Sequence, residues 1–172
     1  MGHRLVVFLL VAGVLGGCGK EIGDACNFAT DCSPNGDRQC DQSSTTDGYC
    51  TIGGCDYNTC PSEAACVRFF TGQFSNRACD PAAASSCAPG TPGCCSRDEL
   101  CAITGFCVAR SSEIRFCMRK CGSDGDCRDH FECRDIDKMK RDGGEPVLAP
   151  GLVVDERAPK FCAFAPVVPV SP

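Results

Sequence analysis

The sequence predicts a small disulfide-rich fold, mostly irregular with short β-hairpins, in which several Cys-stapled modules follow one another in tandem. Three observations predict it. The 172 residues hold 19 Cys, about 12% of everything from Cys18 onward, above the roughly 8–10% that marks a disulfide scaffold. Leu and Ile are few after the leader, there is no Trp, and Tyr49 and Tyr57 are the two tyrosines. Cysteines also recur at short intervals among Asp, Asn, Gly and Ser, whose side chains and backbone freedom favour turns. Segments of roughly 25–45 residues bury too little surface to fold alone, so bridges, each stabilising by about 2–4 kcal/mol, must carry much of the load.

Residues 1–17 stand apart. Arg4, with His3, opens a run from Leu5 to Leu15 that is apolar apart from Gly13. It is too short for a membrane span, which needs about 20 such residues, and fits the apolar region of an export signal. Its end, Leu15-Gly16-Gly17-Cys18, resembles the lipobox of bacterial lipoproteins. That resemblance implies cleavage before Cys18, a diacylglyceryl thioether on its sulfur and an acylated amino group, so that the partner bound through Cys18 is a membrane. Each buried methylene contributes about 0.8 kcal/mol, and two or more chains anchor firmly. Gly19, with no Asp in its place, favours the outer over the inner membrane of the cell envelope in the sorting scheme of such lipoproteins. Loss of Arg4 with the leader takes the net charge from −5 to −6. That balance argues against nucleic acid and against charge-driven binding to anionic lipid.

The remaining elements follow in order. Residues 18–25 read as a lipid-anchored polar tether. Residues 26–79 hold two N-terminal Cys-rich modules, expected to pair first-to-third and second-to-fourth as Cys26–Cys40, Cys32–Cys50, Cys55–Cys66 and Cys60–Cys79. Cys66 to Arg77 is the best hairpin candidate, with Thr71-Gly72 as its turn. Arg68, Phe69 and Phe70 on it are the candidate contact surface, since strand alternation puts the two rings on opposite faces. Residues 80–107 comprise a Pro/Gly loop (80–93) and a segment with adjacent Cys94 and Cys95. Within it, Ser96 and Glu99 match a capping box for one helical turn to Ala102. Residues 117–162 form a C-terminal module, with Cys121–Cys133 and Cys127–Cys162 expected and a long insertion from Arg134 to Lys160, inside which a short strand is expected at Leu152 to Val154. Residues 163–172, rich in Pro, read as a mobile tail.

Cys87, Cys94, Cys95, Cys101, Cys107 and Cys117 remain. The repeat reading pairs them as Cys87–Cys101, Cys95–Cys107 and Cys94–Cys117. From Cys79 the order C-x7-C-x6-CC-x5-C-x5-C also resembles the inhibitor-cystine-knot miniproteins, which implies Cys79–Cys95, Cys87–Cys101 and Cys94–Cys107 and a knottin-like module. From Cys87 it is similar to the second half of the Dickkopf N-terminal cysteine-rich domain, whose opening C-x5-C-x5-C matches Cys121-Cys127-Cys133. The lipobox, the repeated Cys units and the Pro-rich spacers together resemble the cysteine-rich lipoproteins abundant in myxobacteria, which implies an envelope location and no common activity.

The chemistry is sparse. After the leader the one His is His130, and neither G-x-S-x-G nor H-E-x-x-H occurs, so no nucleophile–base or metalloprotease constellation can be assembled. No C-x2-C pair is present, which removes the commonest structural zinc signature. Asp124, Asp126 and Asp129 lack an EF-hand register. No catalytic residue, metal or cofactor is therefore expected. The expected function is a non-enzymatic, lipid-anchored envelope protein whose modules act as a structural, adhesive or binding element toward another envelope or extracellular protein. The alternative is a tethered knottin-like ligand- or protease-binding module, with Pro89 to Gly93 as its loop.

Overall fold

The computed structural model describes residues 19–43, 47–83 and 87–166. The leader and Cys18 lie outside these residues, as does the Pro-rich end from Val167. In chain order the elements are β1 (Ala25–Cys26), α1 (Ala29–Cys32), β2 (Gln39–Asp41), β3 (Gly48–Thr51), β4 (Ala64–Phe70), β5 (Phe74–Ala78), β6 (Glu99–Cys101) and β7 (Phe106–Ala109). After them come β8 (Glu113–Arg119), β9 (Phe131–Arg134), α2 (Ile136–Asp142), β10 (Glu145–Pro146) and β11 (Phe161–Phe164). They form four small sheets, ordered β1-β3-β2, β10-β4-β8, β5-β7-β6 and β11-β9, and the pairing is antiparallel throughout.

One cystine unit occurs four times. In each, the first Cys bonds the third and the second bonds the fourth: Cys26–Cys40 with Cys32–Cys50, Cys55–Cys66 with Cys60–Cys117, Cys79–Cys101 with Cys95–Cys107, and Cys121–Cys133 with Cys127–Cys162. The third and fourth Cys stand directly opposite each other on an antiparallel pair: Cys40 and Cys50, Cys66 and Cys117, Cys101 and Cys107, Cys133 and Cys162. Opposed residues project from the same face, so both sulfurs emerge side by side. In the first, second and fourth units the short segment bearing the first two Cys closes over them, whereas in the third those two, Cys79 and Cys95, lie 16 positions apart. The backbone turn at the second Cys also repeats. The N–H before the second Cys donates to a carbonyl three residues back (Asp31 to Phe28, Thr59 to Asp56, Cys94 to Thr91, Asp126 to Ser123). A second turn follows that Cys (Gly36 to Ser33, Ala64 to Pro61, Glu99 to Ser96, Phe131 to Arg128).

Two of the expected bridges are corrected by this arrangement. Cys60 bonds Cys117 and not Cys79, and Cys87 bonds Cys94 and not Cys101. Cys94 accordingly does not reach Cys117, and the three knot pairings are absent. The cause is an insertion. β4 pairs along its whole length with β8, from Ala64 opposite Arg119 to Phe70 opposite Glu113, and the entire third unit lies between these strands. The expected Cys66–Arg77 hairpin fails for the same reason, because β5 pairs with β7. Within the third unit, Gly90 and Gly93 take the left-handed backbone (φ 82° and 80°) and reverse the chain so that Cys87 meets Cys94. The neighbours Cys94 and Cys95 therefore go to different partners. Glu99 does return its carboxylate to the Ser96 N–H (2.9 Å), but the turn it caps leads into β6 and no helix forms.

The units share a core. Ile22, Tyr49, Val67, Ile103, Met118, Met139 and Phe161 belong to one buried cluster drawn from all four. Ile22 is fully buried, so residues 20–25 are docked and are not a free tether. The insertion after β9 is ordered as well. Asp135 accepts the Lys138 N–H and caps α2, and Gly144 (φ 77°) then turns the chain so that β10 joins the free edge of β4. A Cβ on Gly144 would sit 2.7 Å from the Phe69 ring. The strand expected at Leu152 to Val154 does not form; Leu152 and Val153 are exposed. The start of the expected mobile tail belongs instead to β11, with Ala163 buried and the Ala165 N–H donating to the His130 carbonyl.

Candidate functional site

The candidate site is an apolar groove of about 350 Å³ where three of the sheets meet. Strand alternation builds it. On β8, Ile114, Phe116 and Met118 point to one face, and Phe69 lies opposite Ile114 on β4. β3 contributes Tyr49 and Thr51, while β9 and β11 contribute Phe131, Arg134, Ala163 and Phe164. The rings are mutually fixed: Tyr49 stacks on Phe131 (5.0 Å between centroids) and Phe164 meets Phe131 edge-on (5.9 Å). The Arg128 guanidinium lies over Phe131 at 4.5 Å and over Tyr49 at 5.7 Å, close enough for cation–π attraction. It also donates to the Asp47 and Gly48 carbonyls, both at 2.9 Å.

Most polar groups on the wall are already engaged. Tyr49 Oη accepts the Arg119 N–H at 2.9 Å, and burial pushes this hydroxyl's pKa up to about 12. Thr51 Oγ1 donates to the Cys117 carbonyl at 2.8 Å. Arg134, 6% exposed, donates to the carbonyls of Asp142, Gly143 and Phe164 and to Glu132. Asp41 accepts the Ser43 N–H. With these groups engaged, what the groove offers is mainly its shape and apolar and aromatic surface.

The residues singled out in the sequence are divided by the structure. Phe69 and Phe70 do face opposite ways: Phe69 meets Phe161 edge-on (6.2 Å) and lines the groove, whereas Phe70 packs on Phe74 (6.1 Å). Both are half-buried. Arg68 is engaged within the fold, its Nε donating to Glu145 Oε1 at 2.8 Å. Glu145 is 3% exposed, and its other oxygen accepts the Ile103 N–H, clamping β10, β4 and the third unit together. Burial raises its carboxyl pKa above the ordinary range despite Arg68. Asp31 and Asp126, each just before a second Cys, are turn caps: Asp31 accepts the Asn27 and Phe28 N–H groups, Asp126 those of Gly122 and Ser123. These bonds hold both carboxyls below the ordinary range. Asp124 accepts from Lys138 and the Cys133 N–H. His130 is exposed, in a left-handed turn at φ 69°.

The four sets of three Cys sulfurs that lie within 4.8 Å of one another each arise from two neighbouring bridges. They are disulfide sulfurs and not thiolates, so they are poor metal ligands. Tyr49, Phe116, Phe131 and Phe164 were missed as site residues, although the sequence carried a signal for two of them. An aromatic precedes the fourth Cys of every unit: Tyr49, Phe116, Phe106 and Phe161. No protein-family model, curated protein or solved structure matches the chain.

Proposed function

We propose that the chain is a non-catalytic, lipid-anchored protein of the bacterial cell envelope, delivered to the outer membrane, whose cystine units form a rigid binding element. The observation that carries this reading is one of count. The nine bridges consume the eighteen cysteines after Cys18, and the nineteenth is the one that closes the L-G-G-C leader. An oxidising compartment supports such bridges, and the leader supplies the route to it. The groove favours a binding element over a mere spacer. The bridge pattern lends no support to a knottin-like inhibitor.

Radiolabelled palmitate tests the anchor. It should enter the wild-type chain, and Cys18→Ser should abolish labelling and leave an uncleaved precursor. Wild-type protein recovered free and unacylated from the medium would overturn the proposal.

A further inference from the structure

We infer that the face of the first unit around Lys20 and Phe28 rests on the lipid bilayer and sets the orientation of the whole body; this rests on acylation at Cys18. The leash is short. Ile22 is fully buried, the Gly23 N–H donates to the Cys50 carbonyl at 2.9 Å, and the Cys50 N–H donates to Asp24 at 2.9 Å. The Lys20 carbonyl accepts from Arg38, and its Nζ donates to the Ala25 carbonyl at 2.7 Å. Arg119 pairs with Glu21 at 3.1 Å. Gly19 alone separates the lipid-bearing position from this docked segment. At no more than about 3.6 Å per residue, an acyl group carried two positions before Lys20 is on a leash of roughly 7 Å. The bilayer surface must therefore lie at that level.

The surface at that level suits a lipid headgroup layer. Gly19 lies against the Cys32 carbonyl: a Cβ there would be 3.3 Å from it. α1, which ends at Cys32, is a single turn, so its N-cap residue Phe28 is close by. Phe28 is 70% exposed, more than any other large hydrophobic among the described residues. Asn27, Phe28, Ala29 and Thr30 are all exposed and uncharged, and the nearby Asp31 carboxylate is held by two backbone amides. The tip is thus uncharged, with Phe28 as its one large apolar side chain. An exposed aromatic ring of this kind settles at the acyl–headgroup boundary.

The β4–β8 ribbon puts the third unit at the far side. The docked segment packs at its Arg119 end, where a Cβ on Gly23 would lie 2.9 Å from the Arg119 side chain. The third unit leaves from the Phe70–Glu113 end. Six steps of about 3.4 Å separate these ends by roughly 20 Å. Phe106, 44% exposed on β7, belongs to that distal unit.

The absence of Trp from the chain makes the test direct. Full-length Phe28→Trp and Phe106→Trp lipoproteins are purified, weighed intact for acyl chains and nine bridges, and reconstituted into phosphatidylcholine vesicles with or without bromine on the acyl chains. The expected result is at least about a twofold loss of emission in brominated vesicles for Phe28→Trp and no loss for Phe106→Trp. An acylated Phe28→Trp protein that is unquenched, or quenched no more than Phe106→Trp, overturns the orientation while leaving the anchor intact. A chain recovered without acyl mass overturns the anchor and the orientation together.

Discussion

Removing the Cys60–Cys117 bridge should destabilise the protein far more than removing Cys87–Cys94. The first spans 57 residues, of which Cys79–Cys101 short-circuits 22. The effective loop is then about 36 residues, worth about 4 kcal/mol in the chain-entropy model. Cys117 is fully buried on the central ribbon, so truncation to Ala also leaves a small cavity and adds to the loss. The second bridge spans 7 residues and is worth about 2.5 kcal/mol. It closes a surface loop beyond the shared core. Urea titrations of the two double-Ala variants, followed by far-ultraviolet circular dichroism with the other bridges intact, should place Cys60→Ala/Cys117→Ala at the lower midpoint. A non-reducing peptide map of the wild type should join Cys60 to Cys117. A Cys60–Cys79 peptide, or equal midpoints for the two variants, would refute the inserted-unit topology.

Four further outcomes are expected. Arg134→Ala should cost about 3–5 kcal/mol, as for a buried charge removed from its partners, because it strands the Asp142, Gly143 and Phe164 carbonyls and leaves Glu132 to Lys138 alone; chemical denaturation measures it, and a loss under 1 kcal/mol would contradict the hydrogen-bond assignment. Gly48→Ala should prevent correct closure of the first unit, since a Cβ there lies 2.3 Å from Cys40 Sγ and 2.8 Å from the Cys26 carbonyl; oxidative refolding scored by intact mass and peptide mapping would show a loss of Cys26–Cys40. Asp31 and Asp126 have lowered carboxyl pKa values in the fold, so their capping contribution is present above the ordinary value near 3.8 and is lost as pH falls through the folded values. The melting temperature should therefore drop below pH 4, and Asp31→Asn/Asp126→Asn should flatten that drop while lowering the plateau at pH 7. Glu145 runs the other way: with its pKa raised, protonation favours the fold, and that contribution disappears as pH rises through the folded value.

Class and local chemistry were legible in the order of residues. Cysteine density with few Leu or Ile and no Trp leaves bridges as the main available source of order, and the turns around Cys26–Cys32 and Cys121–Cys127 were legible from the Asp, Asn, Gly and Ser that flank those cysteines. In those two units the first four cysteines are consecutive in the chain, so first-to-third and second-to-fourth pairing followed from order alone. In the second unit that order misleads. Its fourth cysteine is chosen by the β4–β8 pairing, which leaps over residues 71–112, and nothing in the spacing near Cys60 records it. The aromatic before Cys117, where Cys79 has Ala78, was the one sequence trace of that choice. The groove was hidden for the same reason. Tyr49, Phe69, Phe116, Phe131 and Phe164 come from strands far apart in sequence, and only the packing of three sheets on one buried cluster turns them toward one another. Local hydrogen bonds are written in neighbouring residues; the partner of a strand is decided by which face the whole chain can bury.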